Sequence, residues 1–309
     1  KQDYPCIELL VSDNGLNETA VRDLVDQHYP RPYVFRQNPA IVTLPAHYNQ
    51  LVEAASGKYF IWMPDDDAIS PNYVSTLVPL LEQDPAVAVA IARQEYVDAS
   101  GCVLRVSPNY APHSISGEQL ITQWTQMGFE SFTAILARTA DIRACGGYPE
   151  FPGGTHCDDA VLVKLSLGCS IALTNACAYQ LQQDETSVGW SLKHQVLAED
   201  TRRFLRFLDT DPWLLAFAGR EPAQWIRLKH SLVKMTWETY YHRWETLYKE
   251  RLSLVPWVRA AFALPYIPDY YRSVRSSLWY GVKEKLLRKA KAQFPWVQRL
   301  CQALKSRMS

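Results

Sequence analysis

The stretch Lys58-Tyr59-Phe60-Ile61-Trp62-Met63-Pro64-Asp65-Asp66-Asp67 sets an apolar, strand-like run directly against three consecutive carboxylates. Like charges at the end of a buried strand repel one another and raise each other's pKa unless a cation neutralises them. An all-oxygen ligand set suits the hard ions Mg²⁺ and Mn²⁺. A second reading fits the same residues: an acidic turn ahead of a helix, with Ser70 as N-cap and Pro71 at the first helical position. On these residues alone both readings stay open.

Upstream, residues 7–11 (Ile-Glu-Leu-Leu-Val) read as a buried strand that ends in the turn Ser12-Asp13-Asn14-Gly15 and leads into a helical pattern over 18–27. Residues 33–36 form a short strand, and a helix over about 45–56 is closed by Gly57. The chain is therefore expected to alternate strand and helix, with the aspartate triplet closing a third strand. Open parallel sheets of this class bind ligands outside the carboxyl ends of their strands, so Asp13 and Asp65 to Asp67 are expected on one rim.

Lys1-Gln2-Asp3-Tyr4-Pro5 ahead of the first strand, Ser12-Asp13-Asn14-Gly15 after it, then Asn49 and Ala55-Ser56-Gly57-Lys58-Tyr59 before the triplet, resemble family 2 glycosyltransferases of the GT-A fold over about residues 1–190. The resemblance implies a Rossmann-like nucleotide-sugar-binding α/β sheet with helices on both faces. It places Asp13 at the nucleotide base, with Asn14 and Asn49 as further nucleotide-sugar contacts. It gives the divalent cation that bridges the diphosphate, Mn²⁺ or Mg²⁺, to Asp66 first, with Asp67 beside it and Asp65 against the donor. Pro64 stands where the family commonly has an acid, which leaves the register within the triplet open by one residue.

An inverting transfer also needs a base to take the proton of the acceptor hydroxyl while the metal stabilises the departing nucleoside diphosphate. Cys157-Asp158-Asp159, followed by Leu162-Val163-Lys164-Leu165 and Gly168, resembles the family's acidic pair at the start of a helix. In that register Asp158 is the base and Asp159 the alternative. Two acids in a first helical turn are also what the helix dipole favours with no catalytic role. Residues 86–92 read as a small-residue strand and 93–105 as a hairpin around Asp98-Ala99-Ser100-Gly101. Glu130 and Tyr148 lie where the family contacts its acceptor. Gly153-Gly154-Thr155-His156 reads as a loop over the donor or as a plain connector. Tyr179-Gln180-Leu181-Gln182-Gln183 occupies the stretch where many relatives carry an arginine and a histidine. The resemblance also implies an inner strand and helix ahead of residue 1, so the chain reads as a piece of a longer polypeptide, because a parallel sheet lacking an inner strand exposes unpaired edges.

Composition divides the chain. Its 309 residues are 48% hydrophobic and 21% charged, which is globular and long enough for two domains. The zero net charge hides 11 Lys and Arg against 24 Asp and Glu in residues 1–200, and 21 against 8 in residues 201–309. The boundary is drawn between a GT-A domain at 1–195 and a basic, aromatic-rich helical domain at 196–309, with helices expected over 198–208, 223–251 and 270–304. Trp and Tyr beside Lys and Arg suit the interface of an anionic membrane as well as an ordinary helical core with a solvated face. No nucleic-acid module accompanies the basic residues. Residues 252–268 carry Arg259 and three prolines, too short and interrupted for a span. Seven scattered cysteines without metal spacing suit a reducing cytoplasm.

The resulting expectation is a metal-dependent, inverting glycosyltransferase at the cytoplasmic face of a membrane. It would move a sugar from a nucleoside diphosphate, UDP favoured, to a hydroxyl of a lipid-linked or cell-surface glycan. The alternative is a non-catalytic scaffold of the same fold, or a membrane adaptor.

Overall fold

The computed structural model describes residues 2–15, 20–108, 113–127, 133–183, 192 and 194–248. They belong to one compact unit, Lys1–Trp257. The expected helix over 270–304, the segment 252–268 and Glu130 lie outside the described residues.

Strand β1 (Leu10–Asp13), helix α1 (Ala20–His28) and strand β2 (Val34–Gln37) open the chain, and β1 and β2 pair in parallel with Asp13 opposite Gln37. They form a two-stranded sheet of their own. After α2 (Leu44–Ala54) comes β3 (Tyr59–Phe60), which joins a second sheet of seven strands in the order β3-β8-β5-β9-β4. The other members of that sheet are β4 (Ala68–Ile69), β5 (Val87–Val97), β6 (Val103–Val106), β7 (His113–Ser116), β8 (Leu136–Arg138) and β9 (Ser170–Gln182); β6 pairs with β5 and β7 with β9.

This corrects the expectation of a single alternating parallel sheet. The triplet strand is only two residues long and pairs antiparallel with β8, and the one parallel pairing in the large sheet is β5 with β9. Antiparallel partners far apart in sequence leave no local signature, which is why periodicity gave the strands and not their neighbours. Residues of β1 and of β3 face a common cavity of about 2410 Å³.

The centre follows from β5, whose Val87-Ala88-Val89-Ala90-Ile91-Ala92 is buried on both faces. Its second half forms the expected hairpin with β6, and Asp98 caps the turn by accepting from the Ser100 and Cys102 amides. Helix α3 (Tyr73–Gln83) lays Tyr73, Leu77, Val78 and Leu81 on one side of this sheet. It starts two residues later than the Ser70-Pro71 pattern suggested. Ser70 is spent on the sheet, its amide donating to the Ala178 carbonyl and its hydroxyl accepting from the Ala178 amide.

Helices α4 (Gly117–Met127), α5 (Thr139–Ala144) and α6 (Cys157–Ser166) complete the α/β part, and α7 (His194–Thr210), α8 (Pro212–Arg220) and α9 (Pro222–Tyr248) follow. Asp211 caps α8 by accepting from the Trp213 and Leu214 amides. The bounds expected near 198–208 and 223–251 become His194–Thr210 and Pro222–Tyr248. Phe204, Leu208, Leu214 and Leu232 are fully buried, so these helices pack within the same compact unit as the sheet on both sides of residue 195. Among the described residues no helix is long and apolar enough to cross a membrane.

Lys164 illustrates how the last helices are tied in. It is 3% exposed, and its Nζ donates to the carbonyls of Cys145 (2.7 Å) and Gly147 (2.9 Å), while its own carbonyl accepts from Trp213 Nε1 at 2.9 Å. Lys164→Met keeps the apolar stem but strands two carbonyls, and it is expected to lower unfolding free energy by about 1–3 kcal/mol in urea titrations.

Candidate active site

The cavity collects the carboxylates that the sequence singled out. Asp13, Asp65, Asp66, Asp67, Asp158 and Asp159 all line it.

Asp13 ends β1 and is 5% exposed. Its carboxylate accepts from the Gly15 amide at 2.8 Å and from Gln37 Nε2 at 3.3 Å, and its carbonyl accepts from the Asn38 amide. Asn14 donates to the Val42 carbonyl and accepts from the Val42 amide and from Asn38 Nδ2, so it shapes the loop beneath the pocket as well as lining it. His47, unremarked in the sequence, sits 2.7 Å from Ser12 Oγ; burial pulls its pKa down against the upward pull of Asp13.

Asn49 is elsewhere. Its side-chain amide donates to the Tyr148 carbonyl and accepts from the Tyr148 amide, both at 2.8 Å. Gly147, at φ +63°, has no room for a side chain because a Cβ would lie 2.4 Å from Asn49 Oδ1. The expected nucleotide-sugar contact is thus a clamp on the 147–148 turn. Tyr148, the expected acceptor contact, is itself buried, packed edge to face against Tyr48 at 5.3 Å. Tyr48 in turn lies 4.1 Å from the Trp62 ring, and its hydroxyl feels the charges of both Asp158 and Asp65. Tyr48 therefore stands between the two acidic centres.

Within the triplet the three residues differ. Asp65 and Asp66 are exposed to the cavity. Asp67 is half-buried, with one oxygen accepting from the Tyr179 hydroxyl and the other from the Gln182 amide at 2.9 Å. Burial raises its pKa, those two donors oppose the rise, and the charges of Asp66 and Asp65 add to it. Tyr179 and Gln182 belong to β9, and they use Asp67 to hold the triplet to the sheet. Asp67, expected beside Asp66 as a ligand, has both oxygens in that anchor.

Among the described residues no three His, Cys, Asp or Glu side chains converge on one point as a complete metal cage would require. The fit is instead that of an open site. Asp65 and Asp66 offer hard oxygen donors at a cavity whose walls carry a marked excess of acidic side chains, and a ligand's own phosphate oxygens would complete the coordination.

The second acidic centre opens α6. His156 precedes it in the left-handed conformation (φ 69°) and is 4% exposed. Its Nδ1 lies 2.8 Å from Asp159 Oδ2, and its ring stacks on Phe204 at 4.9 Å. Asp159 is thereby engaged by the imidazole, whereas the Asp158 carboxylate accepts from the Asp159 amide at 3.0 Å. Burial first, and the Asp159 charge second, raise the Asp158 pKa to about 6 against the opposing Asp159 amide and His156. A raised carboxylate at a cavity wall has the property a general base needs near neutral pH. His156 was legible only as the residue three before Asp159, a spacing that one helical turn brings together.

An α/β sheet edged by acidic groups and followed by helices is the GT-A architecture, and residues 1–143 match the model of Glycosyl transferase family 2. Among solved structures the chain is similar to S. aureus TarS. The TarS 1-349 structure in complex with UDP superposes with a TM-score of 0.50 at 15% identity over 71% of this chain and 64% of that one. A second TarS 1-349 structure gives 0.54 at 13% identity over 84% and 71%, and a longer TarS chain 0.53 at 12% over 84% and 43%. The chain thus spans less than two thirds of two of these three proteins, and at such identity the likeness speaks for the fold. No curated protein gives a significant match.

Proposed function

We propose that the chain is a metal-dependent, inverting glycosyltransferase that transfers a sugar from a nucleoside diphosphate to a hydroxyl of a glycan acceptor. The observation that carries this reading is that Asp13, the Asp65–Asp66 pair and Asp158 line one cavity. A diphosphate would be repelled by so many carboxylates unless a cation came with it.

In this reading Asp13 takes the base, held rigid by Gly15 and Gln37. Asp66, with Asp65, holds Mn²⁺ or Mg²⁺, which when bound neutralises the diphosphate and the charge of its departure. Asp158, ionised above pH 6, accepts the proton of the acceptor hydroxyl as that oxygen attacks the anomeric carbon and the bond to phosphate breaks. The resemblance to a UDP-bound TarS structure supports uracil as the base. A lipid-linked or cell-surface acceptor and an anionic membrane surface for the basic, aromatic C-terminal third are the corresponding proposals for the rest of the chain.

Calorimetric titration with UDP and with GDP, each with Mn²⁺ and with EDTA, tests this reading. Binding of UDP that requires Mn²⁺ supports it. A folded chain that binds neither nucleotide with the metal present contradicts it and favours the scaffold alternative.

A further inference from the structure

The acidic turn at α6 is held from outside the sheet. Asp200, on α7, is fully buried, and its carboxylate accepts from the Gly153 amide (3.0 and 3.1 Å to the two oxygens) and from the Thr155 amide at 2.9 Å. One helical turn on, Arg203 donates to the Glu150 carbonyl, and Phe204 stacks under His156 and meets Phe151 edge to face. Residues 200, 203, 204 and 207 share one face of a helix, so α7 grips the segment 150–156 at successive points. Gly153 is required for this approach, since a Cβ there would lie 2.7 Å from Val196 Cγ1 and 2.8 Å from Asp200 Oδ2. A buried carboxylate with no cationic partner in these contacts is costly, and here backbone amides of a single loop offset it. That loop ends at His156, whose left-handed backbone turns the chain into α6 and whose ring holds Asp159.

We propose that Asp200 is a positioning residue for Asp158: by fixing the Gly153 and Thr155 amides it sets the turn that presents the base to the cavity, so the helical segment after the sheet completes the active site. This rests on the assignment of Asp158 as base. The loop is accordingly not a free flap over the donor but a strut.

The test is Asp200→Asn in the full chain, which preserves shape but turns an amide donor toward two backbone donors. UDP release from a panel of UDP-sugars with Mn²⁺ is followed across pH, together with amide hydrogen exchange. In the variant kcat is expected to fall on the order of 10-fold or more with the donor KM within about twofold, because misplacement near the chemistry costs turnover before ground-state binding. The acid limb of the pH profile should also move to lower pH, since a loosened turn lets water reach Asp158. That carboxylate is faced by Asp159, His156 and Cys157 on its own turn and by Tyr48 and Tyr148 across the pocket. Exchange in residues 151–160 should quicken about 10-fold while the sheet is unchanged. Wild-type kcat and acid limb in the variant would overturn the proposal, as would a loss of activity accompanied only by uniform loosening of the whole chain. If the wild type releases no UDP from any sugar, the donor reading fails, and unaltered exchange at 151–160 in Asp200→Asn would separately overturn the clamp. Should Asp200→Asn not fold, Gly153→Ala is expected to give the same split between kcat and KM, and its absence would contradict the proposal.

Discussion

Asp158→Asn is expected to slow sugar transfer by roughly 10²–10⁴-fold, the usual worth of a positioned general base, while leaving metal-dependent UDP affinity within about twofold. The amide has the shape of the carboxylate and can still accept from the Asp159 amide, so the turn survives. The variant cannot take a proton. Wild-type turnover should rise with pH through about 6, the value to which burial and Asp159 bring the Asp158 carboxyl. The stability effect has the opposite sense. The folded pKa lies above the ordinary 3.8, so the protonated form is favoured by folding, and this group's contribution is lost as pH rises from about 4 through about 6. At pH 7.5 the asparagine variant is therefore expected to melt no lower than wild type, which separates loss of chemistry from loss of fold. Asp159→Asn should behave differently, since it weakens the contact to His156 and shifts the turn.

Asp66→Ala is expected to weaken UDP binding in Mn²⁺ by roughly 100-fold or more, given that even outer-shell partners of a metal cost 10–100-fold when removed. In EDTA the variant and the wild type should bind UDP equally weakly if the side chain acts through the cation, as proposed. Asp66 is exposed at the cavity and its truncation removes no packing, so the melting temperature without ligand should stay put. Asp67→Ala should show the reverse pattern. Its oxygens hold the buried Tyr179 hydroxyl and the Gln182 amide, and removing them deprives both donors of that acceptor, a cost of about 1–3 kcal/mol in stability. Equal effects of the two substitutions on metal-dependent binding would place the ligand register one residue further along.

How much of this could be read from the chain depends on the range of the interaction. Asp13 and the triplet were legible because a short apolar run ending in acids is a local pattern, and strand ends in α/β folds gather at one rim. Asp158 was legible because two acids at a helix start can be counted against a following Leu165 and Gly168. The residues that hold these groups were not. Asn49 reads like a site residue until its two hydrogen bonds to Tyr148, 99 positions away, account for it. Ser70 has the look of an N-cap, yet the non-local β4–β9 pairing claims it. Tyr179 anchors Asp67 from 112 positions away and carries no sign of it in its neighbours. Asp200 did leave a trace: it is an acid on the buried stripe of α7 beside Leu197, Thr201, Phe204 and Leu208, and a carboxylate on an apolar stripe must have partners.

The division into sheet and helices follows the same rule. Composition changes near residue 195, but packing does not break there, because α9 contacts α4 and Trp213 reaches Lys164. Charge is set residue by residue and is visible in a count. Burial against a distant element is not.

Anomalous diffraction from crystals of the chain grown with UDP and Mn²⁺ tests most directly whether these carboxylates bind a metal-bridged nucleotide. One manganese peak is expected between the diphosphate and Asp66 or Asp65, with uracil against Asp13 and Asp158 facing the sugar side of the same cavity. A nucleotide bound elsewhere, or bound in the cavity with its diphosphate away from Asp65 and Asp66 and no manganese between them, would contradict it.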